Sequence, residues 1–310
     1  MRTVLSDDSK DILNGELSCK TCDKKYPINR GIPRFVGTEH YSSSFGFEWN
    51  KHSFTQYDSC SEHNLSKKRL DKEVKWPEKM REELILEAGY GSGRFTEHLL
   101  KTGATIFSVD VSVAVDENFK NHKEKDNFCV AQADIISLPF KQESFDKVLC
   151  IGVLQHTPNP FLSFKALVSA LKRGGEIVAD IYDKPPFYKR IFNTRHWMRP
   201  ITKRLPPAFL HKIVTTHVNI VWPFAKLIHK LPFGVKINHK LLIAEYLSYK
   251  NLTQKEQKEW AVLDTFDWLS PTYEFSQTVE TVKKWCKELP LKDVEIKYGY
   301  GGIEIRAVRV

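Results

Sequence analysis

No apolar run in this chain approaches the ~18 residues that a membrane-spanning helix needs; the longest, around Ile220 to Ala225, falls far short. A soluble globular protein is expected. Cysteine is scarce, six in 310 residues at uneven spacing, which excludes a disulfide framework. Cys129, Cys150 and Cys286 stand inside apolar or amphipathic runs and read as core thiols. The N-terminus turns acidic at Asp7 and Asp8 before an apolar stretch develops, so no secretory signal is expected and the cytoplasm is the default location. Acidic side chains are missing from residues 184–240, which hold 12 Lys or Arg and no Asp or Glu. That segment carries the whole basic excess: the chain has a net charge of +9, yet outside the segment 35 basic residues face 38 acidic ones. There is no internal repeat and no low-complexity tract.

What is present divides into four regions. Residues 1–37 read as a small β-rich leader punctuated by Gly and Pro, and residues 38–80 as an aromatic-rich stretch (Phe45 to Trp49, Phe54, Tyr57) running into a charged helical pattern over Ser61 to Lys79. From about residue 81 short apolar strands alternate with helical segments: strands at Leu84–Ala88, Thr105–Asp110, Phe128–Ala131, Lys147–Ile151 and Glu176–Ile181, helices at Phe95–Lys101, Val113–His122 and Pro160–Leu171. This alternation predicts an α/β fold, a doubly wound, Rossmann-like sheet covered on both faces. Residues 184–275 interrupt it as a helical, basic insertion. Residues 276–310 return with a helix at Gln277–Glu288 and two strands, Asp293–Lys297 and Ile303–Val310, which complete a seven-stranded, mostly parallel sheet with an antiparallel last strand.

The most informative segment is Leu84 to Thr96, where a buried strand runs into Gly89-Tyr90-Gly91-Ser92-Gly93 and then a helix. Alternate glycines let a ligand approach the backbone at the carboxyl edge of a sheet. A dinucleotide loop would carry its third glycine where Arg94 stands, so the spacing is Gly-x-Gly-x-Gly instead. Asp110 ends the second strand 17 residues after Gly93, placed to accept from both hydroxyls of a ribose. Asp134, just past the third strand, is placed to accept from an adenine amino group. Carboxylates in this order at successive strand ends predict a ligand with an adenosine-like part.

These residues, with Val109-Asp110-Val111, Ala133-Asp134, Leu138-Pro139-Phe140, Phe145 to His156 and Ala170 to Glu176, resemble class I S-adenosylmethionine-dependent methyltransferases, in the branch similar to ubiquinone and menaquinone methyltransferases. The resemblance covers residues 81–183 and 276–310. It implies S-adenosylmethionine as cofactor, with Gly89, Gly91 and Gly93 along its methionine and ribose parts and Glu87 near its amino group. It further implies Asp110 on the ribose, Val111 against adenine, Asp134 and the Ile135 backbone at the adenine edge, and Gly152 beside the cofactor. Tyr90 departs from the small residue or Cys frequent in such loops and narrows the pocket.

Methyl transfer is an in-line displacement, so alignment supplies much of the acceleration and a base assists an O–H or N–H nucleophile. His156, beyond the fourth strand, and Tyr182, ending the fifth, are the candidate catalytic residues. His156 before Thr157-Pro158 also reads as a loop anchor. Cys19-x-x-Cys22 resembles half of the zinc ribbon found ahead of some methyltransferases; with no second pair, and only His40, His52, Cys60 and His63 as substitutes, a degenerate ribbon without metal is expected.

The insertion is expected to cap the acceptor pocket, and its basic, aromatic first part, including Arg195 and Arg199, to favour an anionic, lipid-linked or sugar-containing small-molecule acceptor. Phe209, Leu210, Ile213, Val214, Val218, Val221 and Trp222 recur at helical spacing, which suits a core-facing stripe and equally a membrane-surface helix making peripheral contact. Two rival readings stand beside this one: an RNA methyltransferase gripping nucleic acid with the basic segment, and a noncatalytic adenosine-binding module.

Overall fold

A computed structural model of the chain describes residues 2–5, 12–37, 41–61, 63–191 and 193–310. The leader forms a four-stranded antiparallel meander of β1 (Arg2–Leu5), β2 (Asn14–Ser18), β3 (Lys25–Asn29) and β4 (Ile32–Pro33). It is pinned to the main sheet by Arg34, which donates to Gln132 Oε1 at 3.0 Å and Asp116 Oδ1 at 2.7 Å. Cys19 and Cys22 sit in the β2–β3 turn with free thiols. Neither belongs to a metal-capable cluster among the described residues. Of the substitutes, His52 Nε2 lies 2.9 Å from His211 Nε2, His63 Nδ1 lies 3.4 Å from Asp58, Cys60 is exposed, and His40 is outside the described residues.

Two helices follow, α1 (Ser43–Lys51) and α2 (Leu65–Glu73). The second is shorter than the charged pattern predicts. Asp58 fixes its start by accepting from the N–H groups of Ser66 (3.1 Å) and Lys67 (2.7 Å), and Pro77 lies just beyond its end.

The main sheet contains β5 (Leu84–Ala88), β6 (Thr105–Asp110), β7 (Phe128–Gln132), β8 (Phe145–Cys150), β9 (Leu171–Ile181), β10 (Leu291–Tyr298) and β11 (Ile303–Arg309). Their spatial order is β10-β11-β9-β8-β5-β6-β7, with β5 to β9 parallel and β11 antiparallel to β9. The apolar runs are buried on both faces, as a parallel sheet between helices requires. Between the strands lie α3 (Thr96–Leu99), α4 (Val115–His122) and α5 (Pro160–Ala170). The Phe95–Lys101 expectation contracts to one α-turn continued as a 3-10 turn, stopped at Gly103 with φ +83°. β9 begins at Leu171, earlier than expected, because Leu171 pairs with Phe145.

The inserted segment folds into α6 (Phe187–Ile191), α7 (Thr194–Thr202), α8 (Pro207–His229), α9 (Gly234–Lys240) and α10 (Gln254–Leu269), before α11 (Val279–Glu288) rejoins the sheet. A capping box between Thr253 and Glu256 starts α10. Leu210, Val214, Val218, Trp222 and Ala225 fall on one face of α8 and pack against Ala261, Val262, Phe266 and Leu269 of α10. Burying such side chains contributes roughly 1.5–3 kcal/mol for each large one. Among the described residues, no helix is long and apolar enough to cross a membrane.

Candidate active site

β5 delivers the chain straight into the glycine loop. Gly89 and Gly91 hold φ of +75° and +58°, and a Cβ on them would lie 2.3 Å from Val153 and 2.9 Å from the Trp49 ring. Only glycine meets both demands. From the neighbouring strand, Asp110 accepts from the N–H of Gly91 at 3.0 Å and of Ser112 at 2.8 Å, tying the loop to the end of β6. Val111 follows it, Ile135 comes from the turn after β7, and Gly152 from the loop after β8, where an added Cβ would meet nothing within 4 Å. Together they wall a cleft of about 1400 Å³, counting its open mouth, at the carboxyl ends of the strands. This is the crevice where doubly wound sheets bind their ligands.

Three other residues expected on that wall do not reach it. Glu87 is turned beneath the loop, where its Oε2 accepts from Thr96 Oγ1 (2.6 Å) and Ser108 Oγ (2.7 Å). Burial pushes its carboxyl up to about 7 against those two hydroxyl donors. Gly93 serves packing, since a Cβ there would lie 2.4 Å from Asn118 Oδ1 and 2.6 Å from Tyr57 Oη. Asp134 accepts from Ile136 N–H at 2.9 Å, capping the Ile135–Ser137 turn, with the Tyr41 side chain as its hydrogen-bond neighbour on the cleft side.

The aromatic stretch ahead of the sheet supplies a cover. Phe45, Glu48 and Trp49 share one face of α1 and line the cleft, with Trp49 resting on Gly91. α1 lies close against the loop after β6: a Cβ on Gly46 would sit 2.7 Å from Val113 Cγ2.

Beyond the glycine loop the cleft continues into a chamber between α1, α10 and the ends of β8 and β9. His156 and Tyr182 both line it, their rings 5.5 Å apart, with Phe45 5.0 Å from His156 on the other side. His156 Nδ1 donates to the Tyr273 carbonyl at 3.0 Å, which leaves the lone pair on Nε2. Burial lowers its conjugate acid to about 4, so the ring is neutral at physiological pH. Burial, with Asp267 next, raises the Tyr182 phenol well above its ordinary value, and it too is neutral.

The chamber also holds charged groups that the sequence did not single out. Asp264 and Asp267 stand one turn apart on α10, both pushed up to about 6 by burial. The Tyr246 hydroxyl donates to Asp264, and Tyr182 is a hydrogen-bond partner of Asp267. Glu48 faces them from α1, both its oxygens buried without a partner, its carboxyl raised well above the usual range by burial and by those two aspartates. Two arginines complete the wall. Arg69 is neutralised by Glu73 and Asp180, each at 2.7 Å. Arg94 donates to Gln56 Oε1, stacks 4.5 Å over Phe95, keeps a buried Nε without acceptor, and is lowered by burial to about 10, so it remains cationic. The trace in the sequence is two acidic residues, Asp264 and Asp267, within the apolar run Trp260 to Trp268, which hints at buried carboxyls but not at what faces them.

Among the described residues, none from 184–240 lines the cleft. Arg195 and Arg199, expected to attract the acceptor, are instead both paired with Glu274, and Arg199 also donates to the Pro271 carbonyl at 2.6 Å. Tyr273 does not line the cleft either; it holds His156 through its carbonyl.

Residues 86–179, which include the glycine loop, Asp110 and the fourth strand, match the model of the methyltransferase domain. The chain carries a methyltransferase domain. The cofactor of such a domain, in the class I fold seen here, is S-adenosylmethionine, and the side-chain-free surface at Gly89 and Gly91 beside the Asp110 carboxylate fits it. Among curated proteins, a tRNA U34 carboxymethyltransferase of Campylobacter curvus is 31% identical over 99 residues, 31% of this chain and 33% of that protein. A ubiquinone biosynthesis O-methyltransferase of Coxiella burnetii is 33% identical over 95 residues, 30% of this chain and 41% of that one. The chain thus spans well under two thirds of either relative. Among solved structures, a Methanococcus maripaludis protein assigned, without an established activity, to the S-adenosylmethionine-dependent methyltransferases superimposes with a TM-score of 0.48 at 14% identity, covering 89% of this chain and 97% of its own.

Proposed function

We propose that the whole chain is an S-adenosylmethionine-dependent methyltransferase acting on a small-molecule or lipid- or sugar-linked acceptor whose reactive head carries hydroxyl or amine donors. The observation that carries this reading is the continuity of one cleft, from Gly89, Gly91 and Asp110 to the facing carboxyls of Glu48, Asp264 and Asp267. An anionic head would meet three carboxyls there and one arginine without an ion pair, Arg94; a head rich in N–H or O–H donors satisfies the buried acceptors instead. Six free thiols match a reducing compartment, and the cytoplasm is the location that fits.

When bound, S-adenosylmethionine supplies an electrophilic methyl carbon on a sulfonium. Gly89, Gly91, Asp110, Val111, Ile135 and Gly152 would hold it, with Trp49 closing over the loop. The acceptor sits against Phe45, Tyr182 and the α10 face, and water is excluded by the surrounding aromatics. Its proton passes to Asp267, whose value near 6 suits a base working at neutral pH better than His156 at about 4. His156 serves by positioning Tyr182 and Phe45.

Calorimetry with S-adenosylmethionine, S-adenosylhomocysteine and NAD tests the cofactor: micromolar binding of the first two and none of NAD is expected. Incubation of the protein with a cell extract and cofactor labelled in the methyl group tests the acceptor. Label is expected in the small-molecule or lipid fraction, and label in RNA would overturn this assignment.

A further inference from the structure

A surface helix of a globular protein buries one apolar stripe and turns polar side chains outward. α8 does not. Opposite its buried stripe, Phe209, Ile213, Ile220, Phe224 and Leu227 are all exposed, the last two at 60% and 64%. At about 100° per residue these five lie within roughly 60° of one another, a second apolar stripe pointing away from α10. The neighbouring helices expose further apolar side chains. Thr194 Oγ1 donates to the Lys240 carbonyl at 2.7 Å and His217 Nε2 to the Leu241 carbonyl at 2.8 Å, which tie the start of α7 and the middle of α8 to the end of α9. Trp197, Ile201 and Phe233 on or beside these helices are exposed at 66%, 64% and 74%.

The segment that forms this face contributes charge of one sign, and the acidic group that reaches α8 from outside it, Glu245, is buried against His229. The segment 184–240 has its 12 basic residues and no acidic one, and Lys203, Arg204, Lys212, Lys230, Lys236 and Lys240 are exposed. We propose that the outer face of α7, α8 and α9 docks on an anionic lipid bilayer, with the apolar stripe entering the headgroup boundary and the basic side chains resting on lipid phosphates. Aliphatic side chains such as Ile213, Ile220 and Leu227 gain from hydrocarbon, whereas a single-stranded nucleic acid is gripped by aromatic stacking and cations. Exposed Trp197 and Phe233 suit the interface between headgroups and chains. None of the residues of this face lines the cleft, so the docking is independent of the chemistry proposed there.

The test is flotation of the full chain with vesicles of phosphatidylcholine alone or mixed with phosphatidylglycerol. Wild type is expected to float with the anionic vesicles and release at high salt. A Phe224→Ser, Leu227→Ser variant and, separately, a Lys230→Glu, Lys236→Glu variant are expected to lose about tenfold or more in binding while melting at the wild-type temperature. Absence of flotation by wild type would overturn the proposal. So would retained flotation in both variants, salt-dependent RNA binding without vesicle binding, or a wild-type dimer that Phe224→Ser, Leu227→Ser converts to monomer.

Discussion

Asp110 and Gly91 form one unit, because the carboxylate accepts the glycine N–H while the glycine makes room for Trp49. Asp110→Ala is expected to weaken S-adenosylhomocysteine binding about 100-fold with the fold intact, and Gly91→Val to abolish it by forcing Trp49 off the loop. Calorimetry beside far-ultraviolet circular dichroism checks both, and wild-type affinity in either variant would remove the site. At the chamber, Asp267→Asn is expected to lower kcat by ~10²–10⁴ with little change in cofactor affinity, and His156→Gln by far less. The reverse order would transfer the base role to His156. Asp264 makes a prediction about pH. Its folded value is raised from 3.8 to about 6, so its stabilising contribution is complete below 3.8 and is lost as pH rises through 6. Asp264→Asn is therefore expected to outmelt wild type at pH 8, by on the order of 2–3 kcal/mol, with the advantage fading toward pH 4. A gap that does not change with pH would mean the carboxyl is not held in that state.

The elements differ in how far sequence could expose them. The strands β5 to β9 were legible because each carries a short apolar run of strand length with Gly or Asp within two residues of its end, and that length and flanking assign such a run to a buried strand rather than a helix. The glycine loop was legible for the same local reason. α1 and α10 were not readable as a site. Glu48 is an ordinary helical glutamate until Asp264 and Asp267 are brought opposite it from more than 200 residues away, and no local pattern encodes that pairing. Arg195 and Arg199 misled in the opposite sense: a basic, aromatic run reads as a binding surface, yet Glu274, from beyond the run, consumes both. Arg199→Ala is expected to destabilise the cap by about 2–4 kcal/mol, since it strips Glu274 of one partner and leaves the Pro271 carbonyl unpaired. Thermal melting measures that loss, and unchanged melting with impaired turnover would restore the acceptor role. Trp49→Ala should raise the dissociation constant of S-adenosylhomocysteine about tenfold by uncovering Gly91.

Across the whole molecule, the cleft draws its walls from the aromatic connection, the sheet edge and the cap, so a ligand in it touches all three. Saturating S-adenosylhomocysteine at ~100 times its dissociation constant is expected to raise the stability of a single cooperative transition by about 2.7 kcal/mol. Two transitions in scanning calorimetry, only one of them shifted, would show that the cap unfolds by itself. The cofactor wall comes from residues 89–152, while the carboxyl and aromatic wall of the chamber comes chiefly from 41–49 and from one face of α10, Trp260 to Trp268. They meet on α1, where Trp49 covers Gly91 while Phe45 and Glu48 face the chamber, but α10 contributes nothing to the cofactor wall. A lineage can therefore exchange one acceptor for another by editing a handful of codons for a single helix, while the nucleotide machinery is inherited untouched, and a protein engineer has the same short stretch to randomise.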